Sequence, residues 1–274
     1  VRFDATGKVS LDHIYTQPDP RPYFTALRPL GYTVPQHAKP YFAKLVREYR
    51  DTHGVAVPQV LDVGCSYGIN AALLKQDTTM EALYEHYAPG GEDRRTRADL
   101  LAEDRARARS RHPAPVRVVG LDTSAEALSY AVRAGHLDDA VHADLEREEP
   151  TAAQRELLAG TDLVVSTGCL GYVTERTLTR VVRAQGGRRP WMAHFVLRMF
   201  PFDPIARALA ALGYRTTRVE GLFPQRRFAS AQEQERVLAG MAAAGVAPGD
   251  LEADGWFAAQ LFLSRPDEPK RERP

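Results

Sequence analysis

Short apolar runs alternate with stretches of helical period along most of this chain, and that alternation limits the fold more than any other feature of the sequence. Residues 60–63, 116–121, 138–142, 162–166 and 191–199 read as strands, and residues 69–75, 124–134, 151–159 and 174–184 between them read as helices. Strands separated by helical crossovers pair in parallel, with the helices covering both faces of one sheet. The right-handedness of such crossovers narrows the topology further. Beyond this block, residues 204–212 and 231–244 read as helices and 214–220 and 256–264 as strands, so the expected class is α/β in three layers.

The first of these strands ends in Leu61-Asp62-Val63-Gly64-Cys65-Ser66-Tyr67-Gly68 and runs into a helix. Glycines in such a turn permit positive φ and let a ligand approach the backbone, at the carboxyl edge where parallel sheets bind ligands. Asp62 suits a cationic ammonium group, met directly or through water, and would repel a diphosphate. Ile69 also stands where the dinucleotide pattern GxGxxG has its third glycine, which weakens a nicotinamide or flavin reading. The next long strand ends in Leu121-Asp122-Thr123-Ser124, putting a carboxylate one crossover away, where it can accept both hydroxyls of a ribose. The strand after that ends in His142-Ala143-Asp144-Leu145, giving a third carboxylate able to accept the exocyclic amine of adenine.

This order of motifs resembles the class I S-adenosylmethionine-dependent methyltransferase family. The resemblance is carried by residues 60–68, by Val119-Gly120-Leu121-Asp122, by Ala143-Asp144-Leu145 and by Asp162-Leu163-Val164-Val165-Ser166, and it covers roughly residues 59–200. It implies a Rossmann-like sheet, mostly parallel with an antiparallel C-terminal strand, and S-adenosylmethionine as cofactor. Asp62, Gly64 and Gly68 would hold the methionine part, Asp122 the ribose and Asp144 the adenine. Cys65, Ser66, Thr123, Leu145, Ser166 and Thr167 complete the expected cofactor contacts. Two departures from the family pattern stand out. An insertion over residues 76–115 separates the first helix from the second strand, and Cys65-Ser66-Tyr67 fills the loop where many relatives carry a further glycine.

Residues 12–40 carry Pro18, Pro20, Pro22, Pro29, Pro35 and Pro40 among Tyr15, Tyr23, Phe24, Tyr32 and His37. Repeated prolines fix φ and remove donors, so this stretch is expected to run extended with short helical turns, covering the core or serving as a substrate lid. A helix is expected over residues 40–53. Tyr15 and Tyr23 are the candidates for catalytic groups in that lid, and Arg21 for neutralising a carboxylate of cofactor or substrate. Tyr172, in the small-residue loop after the fourth strand, can face a sulfonium by its ring or orient the substrate by its hydroxyl. His194 lies inside an apolar strand and reads as a structural histidine, and Cys65 has no basic neighbour to make it a nucleophile.

In the insertion, Met80, Leu83, Tyr84 and Tyr87 form an apolar stripe, followed by a Pro89-Gly90-Gly91 stop and a run of mixed charge over 92–111 containing Leu100 and Leu101. Two helices are expected, the stripe packing into a core in preference to a dimer contact or a cap on the cleft. The expected organisation is an arm and helix over residues 1–57, a cofactor-binding domain over 58–265 that includes the insertion, and a loosely ordered charged tail over 266–274.

Charge excludes some functions. Lys plus Arg number 36 against 35 Asp plus Glu, so nothing pulls the chain toward nucleic acid or an anionic membrane, and a small-molecule substrate is expected. The two cysteines show neither a CxxC pair nor metal-ligand spacing, so no metal is expected. No apolar run reaches the ~20 residues of a membrane span, and Val1-Arg2-Phe3-Asp4 lacks the order of a signal peptide, so a cytoplasmic protein is expected, as a monomer or homodimer. The function expected is methyl transfer to a small molecule, in specialised metabolism. The alternatives are a cyclase or lyase releasing methylthioadenosine from the same cofactor, and a non-catalytic S-adenosylmethionine-binding protein.

Overall fold

The computed structural model describes residues 2–76, 78–88, 95–109 and 115–267. The Pro89-Gly90-Gly91 stop, the opening Val1 and the tail beyond residue 267 lie outside the described residues. One sheet organises the chain. Its parallel strands are β1 (Gln59–Val63), β2 (Arg117–Asp122), β3 (Asp139–His142), β4 (Leu163–Thr167) and β5 (Trp191–Leu197). They are followed by β6 (Tyr214–Arg218), β7 (Phe223–Arg227) and β8 (Trp256–Pro266). The spatial order is β3-β2-β1-β4-β5-β8-β6, with β7 also paired to β8. β8 runs antiparallel to β5, β6 and β7. This is the Rossmann-like α/β fold with an antiparallel C-terminal strand that the motif order implies.

The order in which successive strands are added reverses at β1, with β2 and β3 on one side and β4 and β5 on the other, so β1 and β4 frame the crevice where open α/β sheets bind ligands. The central strands are buried on both faces and read as nearly continuous apolar runs, as parallel strands must when helices cover both sides. One apolar cluster packs α2 (Val34–His53), α3 (Ile69–Lys75), α6 (Ala125–Ala134) and α10 (Ala231–Ala243) on one face. A second packs α7 (Ala152–Ala159), α8 (Glu175–Arg183) and α9 (Asp203–Ala211) on the other.

The N-terminal region is more helical than its prolines suggest. After a 3-10 turn at Asp12–Ile14, α1 (Arg21–Leu27) forms with Pro22 in its first turn. The helix expected from Pro40 starts instead at Val34. Pro35 sits in the first turn, where a missing N–H is not needed, and Pro40 is accommodated inside the helix. The sequence pattern also gave no sign of β7 or of the short α11 (Asp250–Ala253). β7 reads Phe-Pro-Gln-Arg-Arg and owes its existence to pairing with β8, not to apolar alternation.

Two helices fill the described part of the insertion, α4 (Met80–Tyr87) and α5 (Arg97–Ala108). Thr96 and Asp99 form a capping box at the start of α5. Met80, Leu83, Tyr84, Tyr87, Leu100 and Leu101 are all buried, in a third cluster with Ile14, Tyr23, Phe24 and Leu27 of the arm and Tyr67 of the glycine loop. The apolar stripe is therefore core, and what it supports is the arm. Its polar centre is Asp104, 1% exposed, which accepts from His86 Nε2 at 2.6 Å, Tyr87 Oη at 2.8 Å and Tyr130 Oη at 2.6 Å. Burial alone would raise its carboxyl, but these bonds and the charge of His136 hold it below the usual range. Truncating Asp104 to Ala leaves three buried donors unpaired, and we expect a loss of about 3 kcal/mol. That corresponds to a Tm lower by roughly 10 °C. Thermal unfolding followed by circular dichroism checks this; a Tm unchanged from wild type would contradict it.

Among the described residues, no helix is long and apolar enough to cross a membrane.

Candidate active site

The carboxyl ends of β1, β2, β3 and β4 open into a cavity of about 760 Å³, which the N-terminal arm covers. Parallel pairing puts the ends of these strands on one side, so residues far apart in sequence meet at one rim. Gly64, Cys65, Ser66, Asp122, Thr123, Asp144, Leu145 and Thr167 all line the cavity, as do Tyr15, Tyr23 and Tyr172.

The loop after β1 holds an unusual backbone. Gly64 and Gly68 have φ of 68° and 75°, and between them Ser66 has φ 49°, alone among the described non-glycine residues in being positive. A side chain at Gly64 would put its Cβ 2.6 Å from the Cβ of Cys169, so the loops after β1 and β4 touch at a point only glycine allows. What holds Ser66 in place is Asp122. Its Oδ2 accepts the Ser66 amide at 2.8 Å and its Oδ1 the Ser124 amide at 2.9 Å. One carboxylate at the tip of β2 thus fixes the glycine loop and the entry to α6 together. Ser124 in turn caps α6 and donates its hydroxyl to the carbonyl of Tyr15, tying the arm to the same edge.

Asp62 is 1% exposed and stands just behind the residues that line the cavity. Its Oδ1 accepts from Asn70 Nδ2 at 3.0 Å, and the same nitrogen donates to Thr167 Oγ1 at 3.1 Å. Asn70 lines the cavity. Two buried oxygens are left without a partner, Asp62 Oδ2 and Asn70 Oδ1. When Asp62 is ionised it can only accept, so the amide nitrogen faces it and the amide oxygen is left over. Burial pushes the Asp62 carboxyl up to about 7; the Asn70 bond opposes this and the charge of Asp122 adds to it.

Other sequence-expected residues fall away from the cavity. Gly68 shapes the start of α3 but does not line the wall. Ser166 is fully buried and pairs its hydroxyl with His194 Nδ1 at 2.8 Å, because adjacent strand residues face opposite ways and Thr167 takes the cavity side. His194 is the structural histidine expected, its pKa pushed down to about 3 by burial. Arg21 does not reach the cavity. It grips Asp19 through Nε at 2.9 Å and Nη2 at 2.8 Å and donates to the carbonyl of Arg95. The guanidinium proposed for a ligand carboxylate therefore braces the arm against the insertion. Burial raises the thiols of both Cys65 and Cys169, the latter to about 12, which disfavours the thiolate that a nucleophilic cysteine needs.

The arm closes the cavity with aromatic rings. Tyr23 packs edge-on against Tyr15, Tyr32 and Tyr67 at centroid distances of 5.8, 6.2 and 6.0 Å. Burial pushes Tyr15 up to about 12 and Tyr23 well above its ordinary value, so both keep their protons. Tyr172 donates its hydroxyl to Asp4 at 2.5 Å and so latches the arm to the loop after β4. At the far rim Glu233 accepts the Val9 amide at 2.6 Å and holds Arg226 through both oxygens, at 2.7 and 2.9 Å.

Sequence reasoning missed Lys8, Tyr32, Asn70, Gln225 and Arg226, all of which line the cavity. Asn70 carried a faint signal, a polar residue in the first turn after a glycine loop. Lys8 and Arg226 carried none, since only tertiary pairing brings them to the rim.

No family model matches the chain, and no curated protein matches it. It is similar to solved structures of several methyltransferases. One is a TehB-like SAM-dependent methyltransferase from Corynebacterium glutamicum, with 14% identity over 81% of this chain and 88% of that chain and a TM-score of 0.39. Another is the plantazolicin methyltransferase BpumL, in complex with a monoazolic desmethylPZN analog and SAH, with 11% identity over 93% of each chain and a TM-score of 0.46. A third is the N-methyltransferase NodS from Bradyrhizobium japonicum in complex with S-adenosyl-L-homocysteine, with 14% identity over 82% of this chain and 85% of that chain and a TM-score of 0.41.

Proposed function

We propose that this protein binds S-adenosylmethionine at the carboxyl edge of β1, β2 and β3 and transfers its methyl group to a small molecule held beneath the N-terminal arm. The observation that carries this is the pair of buried, unpartnered oxygens on Asp62 and Asn70, beside a loop held at positive φ. Buried acceptors without donors are costly, and a carboxylate backed by an amide oxygen suits a cationic amino group. The residues present therefore fit the methionine end of this cofactor. Asp122 has acceptor capacity left after its two backbone bonds and suits a ribose diol. Asp144, with Thr123 and Leu145 beside it on the wall, suits an adenine.

When bound, the cofactor supplies an electrophilic methyl group on a sulfonium. The chain's part is alignment and the exclusion of water. Direct displacement draws much of its rate from positioning, and no histidine lines the cavity among the described residues. Tyr15, Tyr23 and Tyr172 form the aromatic roof, and its faces suit a cationic centre. Because all three stay protonated, they orient and desolvate and do not act as bases.

Incubating the protein with S-adenosylmethionine, with and without cell extract as a source of acceptors, and identifying the nucleoside product by mass spectrometry tests this. S-adenosylhomocysteine formed only with extract is the expected result. Methylthioadenosine formed without extract would make the protein a cyclase or lyase, and binding without consumption would leave it a non-catalytic cofactor-binding protein.

A further inference from the structure

Among the described residues three cationic side chains line the cavity, and two of them have a carboxylate partner. Arg226 is held at both ends by Glu233, and Arg147 faces Asp144 at 3.4 Å. Lys8 is the third. Among the described residues its ammonium has neither a hydrogen-bond acceptor nor an ion-pair partner. It stands 5.1 Å from the centre of the Tyr172 ring and 5.6 Å from that of Phe257.

Two carboxylates are closest to it in sequence: Asp12 accepts from the Ser10 hydroxyl at 2.9 Å, and Asp4 is committed elsewhere. Asp4 accepts from the Thr6 amide at 2.8 Å, the Thr6 hydroxyl at 2.6 Å, the Lys8 amide at 3.1 Å and the Tyr172 hydroxyl. Its burial is outweighed by these bonds, which keep it ionised. The backbone beside Lys8 is held in place, because the Val9 amide is bonded to Glu233 and Phe3 pairs with Val9. Burial, with the charge of Arg226 adding to it, pushes the Lys8 ammonium down to about 8, while Asp4 and Glu233 act against the shift. Aromatic faces offset part of the desolvation cost of a cation, but they provide no acceptor.

We infer that Lys8 anchors a carboxylate of the methyl acceptor, which makes the substrate a small carboxylic acid with an aromatic or apolar body packed among Tyr15, Tyr23 and Tyr172. This rests on the function proposed above. A single unpartnered cation matches a single negative charge, and the carboxylates of Asp4 and Asp12 lining the same cavity disfavour a dianion such as a phosphate ester. The cofactor also carries a carboxylate. Lys8, however, packs on Tyr172 of the loop after β4 and on Phe257 of β8, toward the antiparallel end of the sheet, whereas Asp62, Asn70 and Asp122 gather at β1 and β2.

The test uses full-length protein with carbon-13-labelled lysine, the Lys8 signal being assigned by its loss in Lys8→Met. Benzoate and benzamide are titrated with and without S-adenosylhomocysteine present. Benzoate is expected to shift the Lys8 signal saturably, while benzamide, of the same shape without the charge, leaves it in place. By calorimetry, Lys8→Met is expected to bind benzoate at least about tenfold more weakly and to keep wild-type affinity for S-adenosylhomocysteine. Benzoate moving Lys8 no more than benzamide does would overturn the inference. So would an S-adenosylhomocysteine affinity that falls about tenfold in Lys8→Met, since the lysine would then belong to the cofactor. If wild type binds no S-adenosylhomocysteine while benzoate still titrates Lys8, the anion site stands and the cofactor reading fails.

Discussion

Replacing Asp122 with Ala is expected to weaken S-adenosylhomocysteine binding about a thousandfold while leaving the protein folded, which isothermal titration calorimetry and a thermal melt on the same sample would show. The size follows from what the carboxylate does. Charge-assisted hydrogen bonds contribute roughly 1.5–3 kcal/mol each, so losing two to a ribose diol costs about 4 kcal/mol. The variant also frees the Ser66 amide, and with it the positive-φ loop that touches Cys169. The sheet itself is indifferent, since β2 is held by ladders to β1 and β3 that do not involve this side chain. Asp122→Asn is expected to fall between, keeping an acceptor oxygen but not the charge. Binding by Asp122→Ala within a few-fold of wild type would remove the ribose role from this residue.

Cofactor affinity should also depend on pH in a way that one buried carboxyl sets. Burial raises Asp62 from its ordinary 3.8 to about 7 in the folded protein. A group raised in this way binds its proton more tightly when folded, so its contribution to stability is complete below about pH 4. That contribution is lost as pH rises toward 7, to a total of about 4 kcal/mol. A cationic amino group beside Asp62 favours the opposite state, the ionised one. Below pH 7 the ligand must therefore displace a proton, and S-adenosylhomocysteine affinity is expected to fall about tenfold per pH unit, roughly a hundredfold between pH 7 and pH 5. Asp62→Asn should flatten this profile, stabilise the unliganded protein at pH 8 and weaken binding there. Calorimetry in two buffers of different ionisation enthalpy would count the proton released. No release at pH 6, or the same pH slope in Asp62→Asn, would rule the mechanism out.

Much of the site was legible because it is written on strand ends. Asp122 and Asp144 close apolar runs, and parallel pairing through right-handed crossovers carries every such end to one edge, so spacing in sequence hardly matters. The insertion between the first helix and β2 therefore left Asp122 at the cavity. Misplaced residues were decided on a finer scale. Ser166 and Thr167 differ by one position and hence by the face of the strand, and only the register of β4 with β5 fixes which side chain meets the cavity. Arg21 was captured by Asp19, a local pairing that no motif announces.

The sequence by itself determined the layer architecture, the position of the cofactor loop and the acidic rim, since apolar periodicity and strand polarity are local properties. Tertiary structure alone decided the rest. Lys8 and Arg226 come from a turn near the N-terminus and from a strand without apolar alternation, and they meet through Glu233 of α10 and the pairing of β7 with β8. Asp62 was visible as a carboxylate, but its burial behind Asn70, and with it the rise in its pKa, depends on what packs around it. Desolvation and charge pairing are summed over all neighbours in space, whereas a sequence specifies only neighbours along the chain.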